Sequence, residues 1–217
     1  MAKRFVYCAA PQRPFMEPVP VEFQYFNGFS LAQKQRCIDS LHTSFLCDRP
    51  ETRVLEVSSK GRDPLGKALS AFSLTIETSE RNVSVECAFQ SSKVFESGGP
   101  YTDLLNVSSH EAKKDARLRE SGGVVGFHFE GVDYPIEPKD LFYRWLYTNA
   151  LSQNISLLDE ACGYDAFTDI EFNPAKQLNC QAKALAAAVG LRRAGKLEQA
   201  LENVTAFQIL VYGGSVV

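Results

Sequence analysis

The stretch Val85-Glu86-Cys87-Ala88-Phe89-Gln90-Ser91-Ser92-Lys93-Val94-Phe95 decides how this chain is read. Ser84 is a helix-capping residue type, and the pattern predicts a helix over about 85–96 that breaks at Ser97-Gly98-Gly99-Pro100. On that helix Glu86, Gln90 and Lys93 are spaced four and then three residues apart and share one face. Val85, Ala88, Phe89, Ser92 and Phe95 fall on another, so an apolar side can be buried while an acid, an amide and an amine are presented together. A substrate pocket uses such a stripe. A surface helix with a Glu-to-Lys ion pair, contributing roughly 0.2 to 0.5 kcal/mol, uses it too, and spacing alone does not choose.

Upstream, Pro11 to Pro20 closes an extended lead-in over residues 1–20, and the expected domain covers 21–212. Val21, Phe23 and Tyr25 alternate as in a short strand before the Asn27-Gly28 turn. Ser30 with Gln33 makes a capping box for a helix carrying Leu31, Ile38, Leu41 and Phe45 up to Cys47. Residues 53–58 and 68–77 read as two strands that can pair as a hairpin. Downstream, a second capping box, Ser108 with Glu111, opens a basic helix to about Ser121, and Gly122-Gly123 ends it. Phe127 and Phe129 mark a strand turning near Gly131. Pro138 starts a helix of Leu141, Phe142, Trp145, Leu146 and Ala150, with Trp145 in the core. A helix near 154–161 leads into Gly163 to Pro174, which has no clean period and reads as a loop. Asn179 is the expected cap of a helix over 180–193, another helix covers 196–203, and Phe207 to Tyr212 reads as a last strand. Strands do not alternate regularly with helices, so the expected fold is α+β, a helix-rich single domain with a few short strands.

With 217 residues, 45% hydrophobic and 23% charged, the chain can bury a real core. No apolar run approaches the roughly 18 residues of a membrane span, and the start lacks the apolar stretch of a secretory signal. A cytoplasmic protein with no membrane partner is expected. Its 6 cysteines are scattered without a Cys-x-x-Cys pair and read as reduced thiols. The net charge of −3 argues against a generally cationic nucleic-acid binder. Lys113-Lys114-Asp115-Ala116-Arg117-Leu118-Arg119, with Arg192-Arg193 later, is either a local phosphate patch or a solvated helix face. His42, His110 and His128 have no ligand spacing, so no metal is expected. No Gly-x-Gly-x-x-Gly, Walker loop or Gly-x-Ser-x-Gly elbow is present, and no cofactor is expected. Two more candidate sets remain: Asp165, Asp169 and Glu171 in the irregular loop, where turn chemistry is the alternative, and Ser58-Ser59-Lys60 at a strand end.

The 85–95 stretch resembles the helix of the NADAR family, usually written V-E-H-x-F-Q-A-x-K-F. Leu69-Ser70-Ala71-Phe72 resembles that family's upstream L-S-N-F. Tyr164 to Asp169 with Asn179 resembles its downstream aromatic-rich acidic loop and Asn-led helix, and together these blocks cover most of residues 54–190. The whole chain is similar to the NADAR antitoxins encoded beside DarT-type DNA ADP-ribosyltransferase toxins, including Val57-Ser58-Ser59-Lys60, Gly99 to Ser108 and Asp165 to Pro174. It departs at Cys87, where many relatives have His, and at Phe167, where a tryptophan is common. The resemblance implies a YbiA-like NADAR fold and an ADP-ribosylguanine glycohydrolase, an N-glycosidase removing ADP-ribose from guanine in single-stranded DNA as antitoxin to a DarT-type toxin encoded nearby. Family members are also linked to riboflavin-pathway intermediates, so an N-glycosidase on such a molecule or on a free nucleotide is an alternative. A non-catalytic ADP-ribose-binding antitoxin is another.

Cleavage at the anomeric carbon passes through an oxocarbenium-like state and needs a nearby carboxylate and a proton for the departing base. The resemblance implies Glu86 and Asp169 as carboxylates, and Lys93 as an unprotonated amine that attacks the anomeric carbon and opens the sugar to a Schiff base. That demands a lowered lysine pKa. Burial lowers it and a direct ion pair with Glu86 raises it, and a neutralised pair would leave Lys93 a binding residue. Ser58, Lys60, Phe72, Gln90, Phe167 and Asn179 are expected to bind ADP-ribose, with Lys60 on the pyrophosphate and Phe72 or Phe167 stacked on a base. Lys113, Lys114 and Arg117 are expected to hold DNA or pyrophosphate phosphates.

Overall fold

The computed structural model describes residues 1–175 and 177–214, and the chain divides into two units, Met1–Ser70 with Ile155–Val217, and Ala71–Asn154. From the N-terminus come β1 (Ala2–Ala9), β2 (Met16–Phe23), α1 (Leu31–Asp48), β3 (Val54–Glu56) and α2 (Pro64–Ala68). The second unit holds β4 (Thr75–Glu77), β5 (Asn82–Ser84), α3 (Val85–Ser91), β6 (Lys93–Phe95), a 3-10 turn over Thr102–Asn106, α4 (Ser109–Lys114), α5 (Arg117–Glu120), β7 (Val124–Phe129), β8 (Val132–Tyr134) and α6 (Leu141–Gln153). The first unit resumes with α7 (Ile155–Ala161), β9 (Ala166–Thr168), α8 (Gln181–Arg193), α9 (Leu197–Leu201) and α10 (Val204–Tyr212). This is the helix-rich α+β content expected, with several small sheets. Among the described residues no helix is long and apolar enough to cross a membrane.

The first unit is built on a four-stranded sheet in the order β2-β1-β9-β3. β1 and β2 pair antiparallel from Ala2↔Phe23 to Ala9↔Met16, so the stretch read as a lead-in is a strand pair. Pro18 and Pro20 sit in β2, an edge strand, where a missing N–H can face away from the ladder. The stretch read as a loop contains β9, which pairs antiparallel with β1 and parallel with β3. Its three residues are too few to show a period. β3 therefore forms no hairpin with the chain that follows. Of the strand expected over 68–77 only Thr75–Glu77 are extended, as β4, and its start falls in α2, with Pro64 in the first turn and Asp63 accepting from Leu65 N.

Ser30 accepts from Gln33 N to start α1, which buries Cys37, Ile38, Leu41 and Phe45 against Val6, Val21, Phe23, Ala166 and Ile170. Each large apolar side chain buried this way contributes roughly 1.5 to 3 kcal/mol. Leu31 is exposed and takes no part. α8 is capped by Cys180 without a side-chain bond, so Asn179 is not its cap. Gly190 brings α8 against the β1–β2 turn, since a Cβ there would lie 2.1 Å from Phe15 O. The expected last strand is α10: Asn203 accepts from Ala206 N, and the buried Phe207 and Val211 are four residues apart. Its β-branched composition reads as strand, but its burial follows the helical period.

In the second unit α3 is shorter than expected. The hydroxyls of Ser91 and Ser92 bond back to Ala88 O at 3.0 and 2.6 Å, and the chain leaves the helix to form β6, which pairs with β7. β4 pairs with β5, and β6-β7-β8 form a second sheet. α6 packs an aromatic cluster in which Phe142 lies 4.7 Å from Phe127 and 4.8 Å from Tyr134, while Phe89 meets Tyr143 edge-on at 5.0 Å. Trp145 is half-buried beside this cluster instead of inside it. The basic helix is two pieces. Its capping box of Ser108 and Glu111 is complete, but Asp115 accepts from Arg117 N at 2.9 Å and breaks the run between α4 and α5.

Candidate active site

The second unit assembles a corner from three segments. Ser84 Oγ accepts from Cys87 N, and the next amides of α3 bond to the preceding chain, Val85 N to Leu74 O and Glu86 N to Ala71 O, both at 2.9 Å. Ser109, opening α4, lies 2.8 Å from Ser84 Oγ and donates to Phe72 O at 3.0 Å. These bonds satisfy the helix start and bring Phe72, Glu86 and α4 together. Lys113 Nζ lies 3.8 Å from Glu86 Oε1 and 4.8 Å from the centre of the Phe72 ring, and His110 meets Phe72 edge-on at 4.8 Å.

All of α3 is buried, Glu86 being 5% exposed, so it is no surface helix. Gln90 connects the other two candidates on its face. Its Nε2 donates to Glu86 Oε1 at 2.8 Å, and its Oε1 accepts from Lys93 Nζ at 2.8 Å. The acid and the amine are thus joined through an amide. Lys93 also lies 4.7 Å over the Phe89 ring. Burial lowers its pKa to about 8, against the opposing pull of Glu86 and with the help of Lys113. At that value about one lysine in ten holds a free amine at pH 7, compared with roughly one in three thousand at an ordinary lysine pKa.

The first unit carries the remaining candidates. Ser58 is buried, donates to Glu56 Oε1 at 2.7 Å and accepts from Lys60 N at 3.2 Å. Lys60 is half-buried. Asp169 Oδ1 accepts from Glu171 N at 3.1 Å and Phe172 N at 3.2 Å, the turn chemistry open to it from the start. Phe167 is 0% exposed in the middle of β9 and offers no face to a ligand, which corrects its assignment as a stacking residue. Freed from capping, Asn179 has a buried Oδ1 without a hydrogen-bond partner among the described residues.

Three residues of this unit escaped the sequence reading as site groups. Glu56, 4% exposed, accepts from Ser58 Oγ and from Ile170 N at 2.9 Å on Oε1, and from Thr168 Oγ1 at 2.6 Å on Oε2. Thr168 Oγ1 in turn lies 2.8 Å from His42 Nε2. Burial pushes the Glu56 carboxyl up despite its donors, and burial lowers His42 to about 4. The available signal was a charge inside the apolar run Val54-Leu55-Glu56-Val57.

Several charges are spent inside their own unit. Asp165 accepts from Arg53 N and pairs with Arg193 at 3.3 Å, and Glu171 pairs with Lys34 at 2.8 Å. Arg192 pairs with Asp159 at 3.1 Å. Arg117 is bound by Asp103 at 2.7 Å and Asp115 at 2.9 Å and stacks 4.4 Å over Tyr101, whereas Lys113 and Lys114 are exposed on α4. A cavity of about 660 Å³ in the second unit is lined by Thr78 to Arg81, Asp103, His128 and Glu130 and contains none of the candidate residues.

Compared with known proteins, the chain is matched over residues 2–216 by the family model NADAR-DarT1, described as the DarT1-associated NADAR antitoxin. None of the curated proteins matches it.

Proposed function

Because this chain belongs to the DarT1-associated NADAR antitoxin family, we propose that it is an ADP-ribosylguanine glycohydrolase. It removes ADP-ribose from guanine bases in single-stranded DNA and so reverses the modification made by a DarT-type toxin. The observation that carries this reading is the Glu86–Gln90–Lys93 relay, in which an amide separates the carboxylate from an amine whose pKa burial lowers to about 8.

In the proposed reaction the free amine of Lys93 attacks the anomeric carbon while the bond from that carbon to the guanine nitrogen breaks, and the departing nitrogen takes up the proton that the new ammonium sheds. The lysine nitrogen's freed lone pair then forms the iminium as the ring oxygen takes the electron pair of its own bond to that carbon and a proton from water, opening the sugar on Lys93. Water adds, and ADP-ribose and the lysine separate, one water being consumed overall. Glu86 supports the positive charge that develops at the anomeric carbon. Gln90 keeps Lys93 from collapsing onto Glu86, where an ion pair would hold its proton. Exposed Lys113, beside Glu86, meets phosphate oxygens, and Phe72 supplies an aromatic surface for a base. Asp169 is assigned as the second carboxylate from the family resemblance.

The test is incubation of the protein with single-stranded DNA carrying ADP-ribosylated guanine, alongside Glu86→Ala, Lys93→Ala and Asp169→Ala variants, following released ADP-ribose. Release by the wild type, lost in Glu86→Ala and Lys93→Ala, is expected. Tight binding without release would leave an ADP-ribose-binding antitoxin. Cleavage of small N-glycosides but not DNA would favour the small-molecule alternative.

A further inference from the structure

We propose that Glu56 is a positioning residue that locks the Ser58–Lys60 turn to the Thr168–Ile170 segment and thereby fixes Asp169. The inference rests on the reading of Asp169 as the second carboxylate of the reaction above.

The direction of every proton in the cluster supports a clamp. Ile170 N–H can only donate, and it donates to Glu56 Oε1. Ser58 spends its hydroxyl proton on the same oxygen, so its own oxygen is left to accept from Lys60 N. Thr168 spends its hydroxyl proton on Glu56 Oε2, so Thr168 Oγ1 accepts from His42, which must carry its proton on Nε2. Glu56 is the acceptor on which Ser58, Thr168 and Ile170 converge, and they come from both segments at the C-terminal end of the parallel β3–β9 pair, where Glu56 and Thr168 are register partners.

The backbone of Glu56 is held as closely as its side chain. A Cβ at Gly66 would lie 2.0 Å from Glu56 O, and one at Gly61 would lie 3.1 Å from it, so α2 and the turn after Ser58 both close on this residue. Val57 N adds a ladder bond to Thr168 O at 2.8 Å. Asp169 is therefore bracketed by Thr168 and Ile170, each bonded to one oxygen of the same carboxylate, and its own Oδ1 can gather Glu171 N and Phe172 N only in the turn so defined. An apolar side chain of similar size would fill the space without demanding this arrangement. Buried charges are often dispensable for stability, and their removal then shows in geometry.

The test compares wild type, Glu56→Gln, Glu56→Leu and Thr168→Val by amide hydrogen exchange and by kcat and KM for ADP-ribose release, each also in an Asp169→Asn background. Glu56→Gln keeps an acceptor for Ser58 and Ile170, and Thr168 can turn its proton toward His42 once the imidazole moves its own to Nδ1, so kcat should fall roughly ten-fold or less. Glu56→Leu should lower kcat roughly a hundred-fold, the effect of a displaced reacting group, and any rise in KM reports the freed Ser58–Lys60 turn. In the Asp169→Asn background the same substitution should cost no more than about two-fold, because residues acting as a unit are not additive. Should Glu56→Leu fail to fold, the Thr168→Val cycle decides by the same criterion. Equal losses in both backgrounds, or an Asp169→Asn variant with full activity, overturn the proposal. If the wild type releases no ADP-ribose at all, the functional reading fails, and exchange alone judges the clamp: faster exchange at Ile170 and Lys60 in Glu56→Leu supports it, and unchanged protection overturns it.

Discussion

Glu56 and Glu86 are both buried glutamates, one in each unit, and the clusters around them differ in how completely their hydrogen bonds close. Around Glu56 three donors meet one carboxylate, a neutral histidine completes the chain behind Thr168, and the acceptors and donors match. Around Glu86 the chain stays open: one end reaches the exposed Lys113 and the other a half-buried Lys93 with a weakened hold on its proton. A closed polar cluster holds backbone in place. An open one that contains a perturbed base has groups left for a substrate.

The strongest way to break this contrast is Lys93→Ala. It should reduce ADP-ribose release by about a thousand-fold or more, since the proposed nucleophile is gone, with little loss of stability. Single-turnover assays on modified single-stranded DNA and a thermal melt check both halves. A drop of only a few-fold would place the chemistry elsewhere.

Next in size is the acid response of the closed cluster. His42 has a folded pKa of about 4, well below its unfolded value, so the unfolded chain takes up the proton first. Stability from this group is complete above about pH 6.5 and is lost as pH falls toward 4, by roughly 2 to 3 kcal/mol. The raised pKa of Glu56 acts in the opposite sense. Comparing wild type with His42→Gln, both of which keep Glu56, isolates the histidine. Denaturant titrations from pH 4.5 to 7.5 should show a shallower pH slope in the variant, and equal slopes would contradict the assignment.

A smaller effect sharpens the role of Gln90. Wild-type kcat should rise with pH as Lys93 deprotonates and level off above about pH 8. In Gln90→Leu the amine is free to pair with Glu86, so the midpoint should move upward, with about a ten-fold loss at pH 7 for each unit moved. An unmoved midpoint would show that the amide does not separate the two charges. The smallest differences concern α4 and α5. Lys114→Ala should reduce the salt dependence of single-stranded DNA binding by a slope of about 0.7, while Arg117→Ala, whose charge Asp103 and Asp115 already match, should leave it within error. Binding measured across a salt series separates them.

The open cluster was the legible one. Glu86, Gln90 and Lys93 declare themselves by helical spacing, and their common face survives although the helix ends at Ser91, because Lys93 reaches back to Gln90. The closed cluster was hidden by topology. Glu56 is a single charge in a three-residue strand, and two of its three donors lie more than a hundred positions away, at the end of β9 and just beyond it. Short elements misled elsewhere too. β9 carries no period, and α10 has strand-like composition with helical burial. Phe167 is a stacking aromatic only by the family resemblance; it sits in the middle of the sheet, between Tyr7 and Leu55, and is fully buried.

The most direct measurement is borohydride trapping on wild-type protein with single-stranded DNA carrying ADP-ribosylated guanine, read by intact mass and peptide mapping. A reduced ADP-ribosyl adduct on Lys93, absent from Lys93→Arg, is the predicted result. Release of ADP-ribose with no adduct, or with the adduct on another residue, would contradict attack by Lys93.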